Sequence, residues 1–118
     1  MGRFEVKVKV SSLVEPQRSG ELELLVDTGA TLSWLPRAFL ERIGVKPIAR
    51  SRFQLPDGRY VEREKGAVLL SVNGQTVAVT AAFAEPGEAA VLGATALETL
   101  GLAVDPVKQE LVPQDLYI

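Results

Sequence analysis

The chain has 118 residues, 47% of them hydrophobic, and a formal net charge of −2 at pH 7. This length predicts one domain, spanning residues 1–118, with a single core. The sequence contains neither cysteine nor histidine, which excludes disulfides, thiol nucleophiles, Ser-His and Cys-His catalysis and zinc held by those residues. Charges of both signs are scattered and form no basic stripe, so nucleic acid is not an expected partner. If the chain is a hydrolase, carboxylates are its natural acid and base, with no cofactor and no metal.

The first residues, Met1 to Glu5, begin in charged alternation and contain no apolar signal core. Val6 occupies the position where the myristoylation pattern requires Ser or Thr. No apolar run approaches the length of a membrane span. We therefore expect a soluble cytoplasmic protein without a membrane partner.

The N-terminal quarter of the chain predicts two strands. Apolar residues at positions 4, 6, 8 and 10 alternate with charged residues from Arg3 onward, which predicts an amphipathic strand with one buried face. A turn-rich stretch at 15–20 follows. The alternation then returns at Leu22, Leu24 and Val26, which predicts a second strand.

The second strand delivers a single carboxylate, Asp27, into the loop Asp27-Thr28-Gly29-Ala30. Three apolar residues precede Asp27, as expected for a strand buried on both faces. Gly29 permits the sharp turn that the loop needs. An Asp-Thr-Gly triplet also occurs in ordinary turns, so the triplet by itself leaves a purely structural interpretation open.

The middle of the chain predicts a short strand at Trp34-Leu35 and then a helix. Pro36 suits the first helical position and Gly44 the C-terminal stop. Residues 48–83 predict strands joined by two tight turns, Asp57-Gly58 and Asn73-Gly74. The charged run at 62–65 is interpreted as a solvated strand face.

A second apolar-apolar-Gly sequence, Val91-Leu92-Gly93, leads into a short helical pattern. Thr95 and Glu98 match a capping box at the start of this helix, and Gly101 suits its end. Residues 102–104 and 110–112 predict closing strands.

These residues give the chain a resemblance to the retropepsin-like aspartic proteases, which comprise the retroviral proteases and their cellular and bacterial relatives. That family carries Asp-Thr/Ser-Gly-Ala after an apolar strand and a hydrophobic-hydrophobic-Gly sequence later. The stretch from Asp27 to Pro36 also resembles the first catalytic loop of pepsin-type enzymes, with Trp34 seven positions after the aspartate. The resemblance covers residues 20–112. It implies an all-β, retropepsin-like closed barrel with one or two short helices.

The resemblance also implies a function. One chain supplies one Asp-Thr-Gly, so the expected enzyme is a homodimeric aspartic endopeptidase in which water is activated between two Asp27 carboxylates. Its substrate would be an extended peptide or protein segment with apolar residues at the scissile bond.

The resemblance assigns further residues to parts of this site. Thr28 would hydrogen-bond across the two-fold axis, and Gly29 and Ala30 would complete the active-site loop. The bracing residues beneath the loop would be Val91, Leu92 and Gly93; the flap would turn at Leu55, Pro56, Asp57 and Gly58; and the subsite wall would include Trp34 and Tyr60, in contact beneath the flap. We expect side chains at Gly29 or Gly93 to be severely destabilising, because backbones approach closely there.

Other interpretations stay open. Asp57 also suits a plain turn residue, and Trp34 suits core packing. The predicted flap has one glycine beside a proline, so it would be stiffer than glycine-rich retroviral flaps. Ala94 stands where retroviral chains usually carry Arg, so the ion pair between loops is absent and the dimer contacts are in question. The alternatives to a protease are a non-catalytic dimeric peptide-binding or scaffold module of the same fold and a β domain with a chance triplet.

Overall fold

A computed structural model of the chain describes residues 4–118; the expectations for residues 1–3 lie outside the described part. The described residues form strands and two short helices in the following order: β1 (Glu5–Ser12), β2 (Ser19–Val26), β3 (Ser33–Pro36), α1 (Arg37–Arg42), β4 (Ala49–Gln54), β5 (Tyr60–Val72), β6 (Gln75–Ala84), β7 (Val91–Leu92), α2 (Ala94–Leu100), β8 (Leu102–Asp105) and β9 (Glu110–Pro113). Within residues 4–118, neither helix is long and apolar enough to cross a membrane.

Most of the strands form one ring. Hydrogen-bonded neighbours follow the order β1-β2-β7-β3-β6-β5, and β5 also pairs with β1, which joins the two ends. β4 extends this sheet from β5, while β8 and β9 pair with each other in a separate two-stranded sheet. The expectation of an all-β fold with two short helices is confirmed.

The ring surrounds the apolar core. The alternation expected in the first strands places Val8, Val10 and Leu24 fully inside. They pack with apolar residues from both helices and from β5, β6 and β7. One face of each of the two strands that precede the Asp27 loop, β1 and β2, is therefore packed against this core.

Two hairpins follow the predicted turns in different ways. At Asn73-Gly74 both residues have positive φ, 51° and 80°, and the flanking residues pair directly, as in the expected two-residue turn. At the other hairpin Gly58 alone has positive φ, 91°. The β4–β5 connection is consequently a five-residue loop, 55–59.

The hairpin of β4 and β5 projects from the ring. The pairing of β5 with β6 begins at Lys65 and Ala82, so residues 60–64 pair with β4 alone. Several residues of this projecting part, residues 49–64, line the same cleft as Asp27 at the end of β2.

Parallel pairing of β2 with β7 brings the two glycine-containing segments together. Leu25 lies opposite Val91 and Val26 opposite Leu92. The Asp27 amide continues this ladder and donates to the Leu92 carbonyl over 3.0 Å.

The start of α2 is hydrogen-bonded to the Asp27 loop. The amides of Gly93, Ala94 and Thr95 donate to Ser33 Oγ (3.0 Å), the Ala30 carbonyl (2.7 Å) and the Thr31 carbonyl (3.0 Å). These amides belong to the group that a helix N-terminus leaves without internal partners. The predicted Thr95–Glu98 capping box is wrong: α2 begins at Ala94, no side chain caps it, and the loop carbonyls replace the cap.

The two loop glycines differ in how closely other atoms approach them. A Cβ at Gly93 would lie 2.5 Å from the Leu32 carbonyl oxygen and 2.8 Å from that of Ala30. At Gly29 it would meet the Asp27 Oδ1 atom alone, at 3.3 Å. The close backbone approach expected at both positions is therefore present at Gly93, whereas among residues 4–118 only the Asp27 side chain comes near a Cβ at Gly29.

We predict that Gly93→Ala lowers the free energy of unfolding by about 3 kcal/mol or more, because the new methyl group overlaps backbone that cannot withdraw without breaking hydrogen bonds. Gly29→Ala is the matched control and should change it by less than about 1 kcal/mol. Urea denaturation of the three proteins measures both values. Equal stability of the two variants would contradict the close contact at Gly93.

Candidate active site

The Asp27 side chain lies at the carboxyl end of β2, half-buried in the floor of an open cleft. The Asp27 Oδ1 atom accepts a hydrogen bond from the Gly29 amide over 2.9 Å, and the Asp27 backbone carbonyl accepts one from the Ala30 amide over 3.2 Å. The loop is thus closed on its own aspartate, as in an Asx turn. The carboxylate is held in one orientation and still reaches the cleft.

The cleft has a volume of about 830 Å³ and lies between the Asp27 loop and the β4–β5 hairpin. Its apolar lining comes from residues on both sides of the carboxylate: Leu25, Ala30, Trp34, Phe53, Leu55, Pro56, Ala89 and Val91. Charged lining residues besides Asp27 are Arg52, Arg59 and Glu88. A floor of this kind combines one fixed carboxylate with apolar walls.

An aromatic pair joins the floor of the cleft to the hairpin. The Trp34 and Phe53 rings meet edge to face, with centroids 5.1 Å apart. The expected partner, Tyr60, instead lies on the other face of the hairpin. There Tyr60 is 55% exposed, and its ring lies against the Arg52 guanidinium, 4.3 Å from the ring centroid. Strand register explains the difference, since Tyr60 pairs with Gln54, one position away from Phe53, and adjacent residues face opposite sides.

The tip of the hairpin contributes Leu55, Pro56 and Arg59 to the cleft lining, whereas Asp57 and Gly58 do not line it. The Asp57 carboxylate accepts hydrogen bonds from the Arg59 amide (3.0 Å) and Arg59 Nε (2.7 Å). These two bonds, the amide first, hold the pKa of the Asp57 carboxyl below its usual value. Asp57 therefore has the surroundings of a turn residue.

The segment between β6 and β7, residues 85–90, forms the far wall of the cleft; we call residues 85–88 the wall turn. Pro86 and Gly87, the latter at φ 88°, occupy the two central positions, and the Glu88 amide donates to the Glu85 carbonyl over 3.0 Å. This is the pattern of a type II turn. Glu88 and the following Ala89 line the cleft.

Two arginines bind the acidic residues of the wall turn. Arg37 contacts Glu85 through Nε and Nη2, and its Nη2 atom also lies 2.8 Å from Glu64. Arg63 binds both carboxylate oxygens of Glu88. The prediction that residues 62–65 form a solvated strand face is wrong for Arg63 and Glu64, since both are partly buried in ion pairs. In each of these ion pairs the arginine and the glutamate are more than twenty positions apart in the sequence. Strand periodicity therefore gives no indication of the pairing.

The Glu88 carboxyl is in turn affected by its surroundings. Hydrogen bonds from Arg63 are the largest influence and lower its pKa. Burial acts in the opposite direction, and the hydrogen bond from the Glu85 amide lowers the pKa further, so the net pKa lies below the usual 4.5. A lowered pKa in the folded state means that the pair stabilises the protein above pH 4.5. That contribution is lost as the pH falls through the lower folded-state value.

We predict that Glu88→Gln destabilises the protein at neutral pH and that the difference from wild type disappears in acid. The amide of the new Gln side chain keeps an oxygen that can accept from the Glu85 backbone amide, but it lacks the negative charge that faces Arg63. Urea denaturation at a series of pH values measures the difference. A difference that stays constant below the usual Glu pKa would contradict the assigned ion pair.

The structure brings most of the predicted site residues to one place. Asp27, Gly29, Ala30, Trp34, Leu55, Pro56 and Val91 line the cleft, Leu92 and Gly93 lie beneath the loop, and Thr28 is exposed beside it. The residues that the sequence interpretation missed include Phe53, Glu88 and Ala89 in the cleft lining and Ser33 beneath the loop. Ser33 is 1% exposed, and a polar residue beside Trp34 in an apolar strand was the available signal for it.

Comparison with known proteins finds solved structures of similar fold. Among solved structures, EIAV protease in complex with the inhibitor HBY-793 has 21% sequence identity and a TM-score of 0.66, and the match covers 88% of this chain and 93% of that one. The retroviral protease-like domain of Ddi1 from Leishmania major has 15% identity and a TM-score of 0.57, with coverage of 96% and 90%.

The foamy viral protease-reverse transcriptase bound to an RNA/DNA hybrid has 17% identity and a TM-score of 0.56; the match covers 97% of this chain but 13% of that much longer one. No curated protein sequence gives a significant match. At these identities the structural matches show the fold. A sequence model described as "Aspartyl protease" matches residues 6–96, most of the chain. The chain therefore belongs to the aspartyl protease family.

Proposed function

We propose that this protein is a homodimeric aspartic endopeptidase whose catalytic residue, Asp27, acts together with the Asp27 of a second copy. The observation that carries the proposal is the single carboxylate held by the Gly29 amide at the floor of a cleft of about 830 Å³. Hydrolysis by paired carboxylates needs two free carboxylates at hydrogen-bond distance. Of the described carboxylates that line the cleft, Glu88 is bound by Arg63, so Asp27 supplies one of the two. A two-fold axis beside the Asp27 loop would supply the other.

The exposed part of the loop supports this assembly. Thr28 is exposed next to the half-buried Asp27, so its hydroxyl is available to the corresponding loop of a second copy. Gly29 is also exposed and carries no side chain to separate the two loops. A paired arrangement of these loops would put the two carboxylates face to face.

Two facing carboxylates that share one proton can supply both halves of acid–base catalysis. The ionised carboxylate would take a proton from a water molecule as the water oxygen attacks the peptide carbonyl carbon. The protonated carboxyl group would give its proton to the carbonyl oxygen. A gem-diol results. Proton transfer to the amide nitrogen then accompanies cleavage of the C–N bond, yielding a carboxylic acid and an amine.

The walls of the cleft support an extended substrate with apolar side chains. Apolar residues line the same cleft as the carboxylate: Leu25, Trp34, Phe53, Ala89 and Val91. The β4–β5 hairpin, with its tip at 55–59, would act as the flap that excludes water from the reacting groups. Neither a metal nor a cofactor enters this proposal. We retain the single domain and the cytoplasmic location as predictions.

We predict that Asp27→Asn abolishes peptide hydrolysis and leaves the fold and the assembly intact. Asn has nearly the same shape and keeps an oxygen for the Gly29 amide, but it cannot take a proton from water. Wild type and variant are incubated with a diverse peptide library, and the products are identified by mass spectrometry. Matching circular dichroism spectra provide the folding control.

Three outcomes of that experiment are informative. Cleavage by wild type alone supports the protease. Equal cleavage by both proteins would show that Asp27 is not catalytic. Peptide binding without cleavage by either protein would favour the alternative, a non-catalytic dimeric binding module of the same fold.

We predict that specific activity falls on dilution below the dimer dissociation constant, because a monomer holds one half of the site. Ala94 replaces the usual Arg of retroviral proteases, so we expect this loss at higher concentrations than in those enzymes. Activity across a dilution series is compared with molar mass from light scattering on the same samples. Full activity in a monomeric sample would exclude the shared site.

A further inference from the structure

We infer that Arg63 is a positioning residue, which holds the flap hairpin at a fixed distance from the wall turn and thereby controls how tightly the cleft binds substrate. The inference rests on the proposed function, since it concerns the cleft that would hold the peptide. Arg63 does not line the cleft itself; it acts through Glu88, which does.

The location of Arg63 on the hairpin is the first argument. Residues 60–64 lie beyond the last β5–β6 pair and are hydrogen-bonded in the sheet to β4 alone. The position of this projecting part therefore depends on side-chain contacts with the rest of the molecule. Such contacts are Trp34 with Phe53, Arg37 with Glu64, and Arg63 with Glu88.

The location of Glu88 is the second argument. The wall turn lies between the end of β6 at Ala84 and the start of β7 at Val91, outside the strand ladders. Glu88 accepts from the Glu85 amide through Oε1 (2.7 Å) and from Arg63 through both oxygens. One carboxylate thus closes the turn and joins it to the hairpin. Displacement of Glu88 would carry the adjacent Ala89, another lining residue, with it.

The geometry of the pair is the third argument. Arg63 lies on the same face of the hairpin as Phe53, because it is two residues from Val61, which pairs with Phe53. The Arg63 and Glu88 side chains are 19% and 24% exposed and meet through two parallel N–H to O contacts. Two contacts restrict both the distance between the guanidinium and the carboxylate and their relative orientation. A single exposed contact restricts neither strongly.

The same hairpin offers a matched control. Arg50 and Glu62 form a cross-strand pair at 3.5 Å on the outer face, with side chains 59% and 65% exposed. An exposed pair of this kind contributes little and does not reach the wall turn. Substitutions at Arg50 and Glu62 change charge in the same way but should not affect the cleft.

The test compares Arg63→Met, Glu88→Gln and the double variant with Arg50→Met, Glu62→Gln and their double variant. We expect KM for a cleaved peptide to rise about three- to tenfold in the Arg63 and Glu88 variants, with kcat within about twofold, because substrate binding is weakened and the reacting carboxylates are untouched. The Arg63/Glu88 double variant should be no worse than either single variant, since both remove one interaction. The control variants should match wild type.

Hydrogen exchange gives a readout that does not depend on catalysis. Amides of residues 53–61 should exchange about three- to tenfold faster in Arg63→Met and Glu88→Gln than in wild type. Amides of β1 and β2 should be unchanged, and so should residues 53–61 in the Arg50 and Glu62 variants. If Arg63→Met does not fold, Glu88→Gln, which retains the turn acceptor, decides alone.

Two results would overturn the inference: unchanged KM and hairpin exchange in Arg63→Met and Glu88→Gln, or equal changes in the Arg50 and Glu62 controls. If wild type cleaves no peptide in an Asp27-dependent manner, the proposed function fails separately. Hydrogen exchange then still tests whether Arg63 positions the hairpin.

Discussion

The candidate site depends on main-chain hydrogen bonds between two segments that lie far apart in sequence. The Asp27 amide donates to the Leu92 carbonyl, and the first amides of α2 donate to the carbonyls of Ala30 and Thr31. A helix N-terminus must find acceptors outside itself, and a tight loop must find donors. Each segment supplies what the other lacks. Gly93 makes this possible, because any larger residue would separate the two backbones.

A rigid floor and a projecting hairpin divide the cleft into parts of different stability. The floor is built on parallel pairing of β2 with β7 and on buried apolar strands. Residues 60–64 of the hairpin, by contrast, form strand hydrogen bonds with β4 alone. Segments with few ladder contacts open at lower free energy than core strands. Ion pairs and one aromatic contact therefore have more influence on the hairpin than on the floor.

Local patterns predicted most strands, one turn and the position of the Asp27 loop, because these features depend on neighbouring residues. Alternation identified the strands, the Asn73-Gly74 pair identified its turn, and Asp27 after an apolar run identified the loop. The errors concern contacts between distant segments. Phe53 replaces Tyr60 as the partner of Trp34 because the hairpin register puts them on opposite faces. The capping box at Thr95 does not form because the loop carbonyls already hold those amides.

The sequence by itself determined the chemistry available to this protein: carboxylates without histidine or cysteine, one Asp-Thr-Gly-Ala loop, and the approximate positions of the strands along the chain. Only the tertiary structure decided which residues surround Asp27 and which charges are paired. The run of four charged residues at 62–65 predicts a solvated strand face, yet Arg63 forms an ion pair with Glu88 of the wall turn. The physical reason is that periodicity reports the faces of one element, whereas ion pairing and burial depend on how different elements pack together.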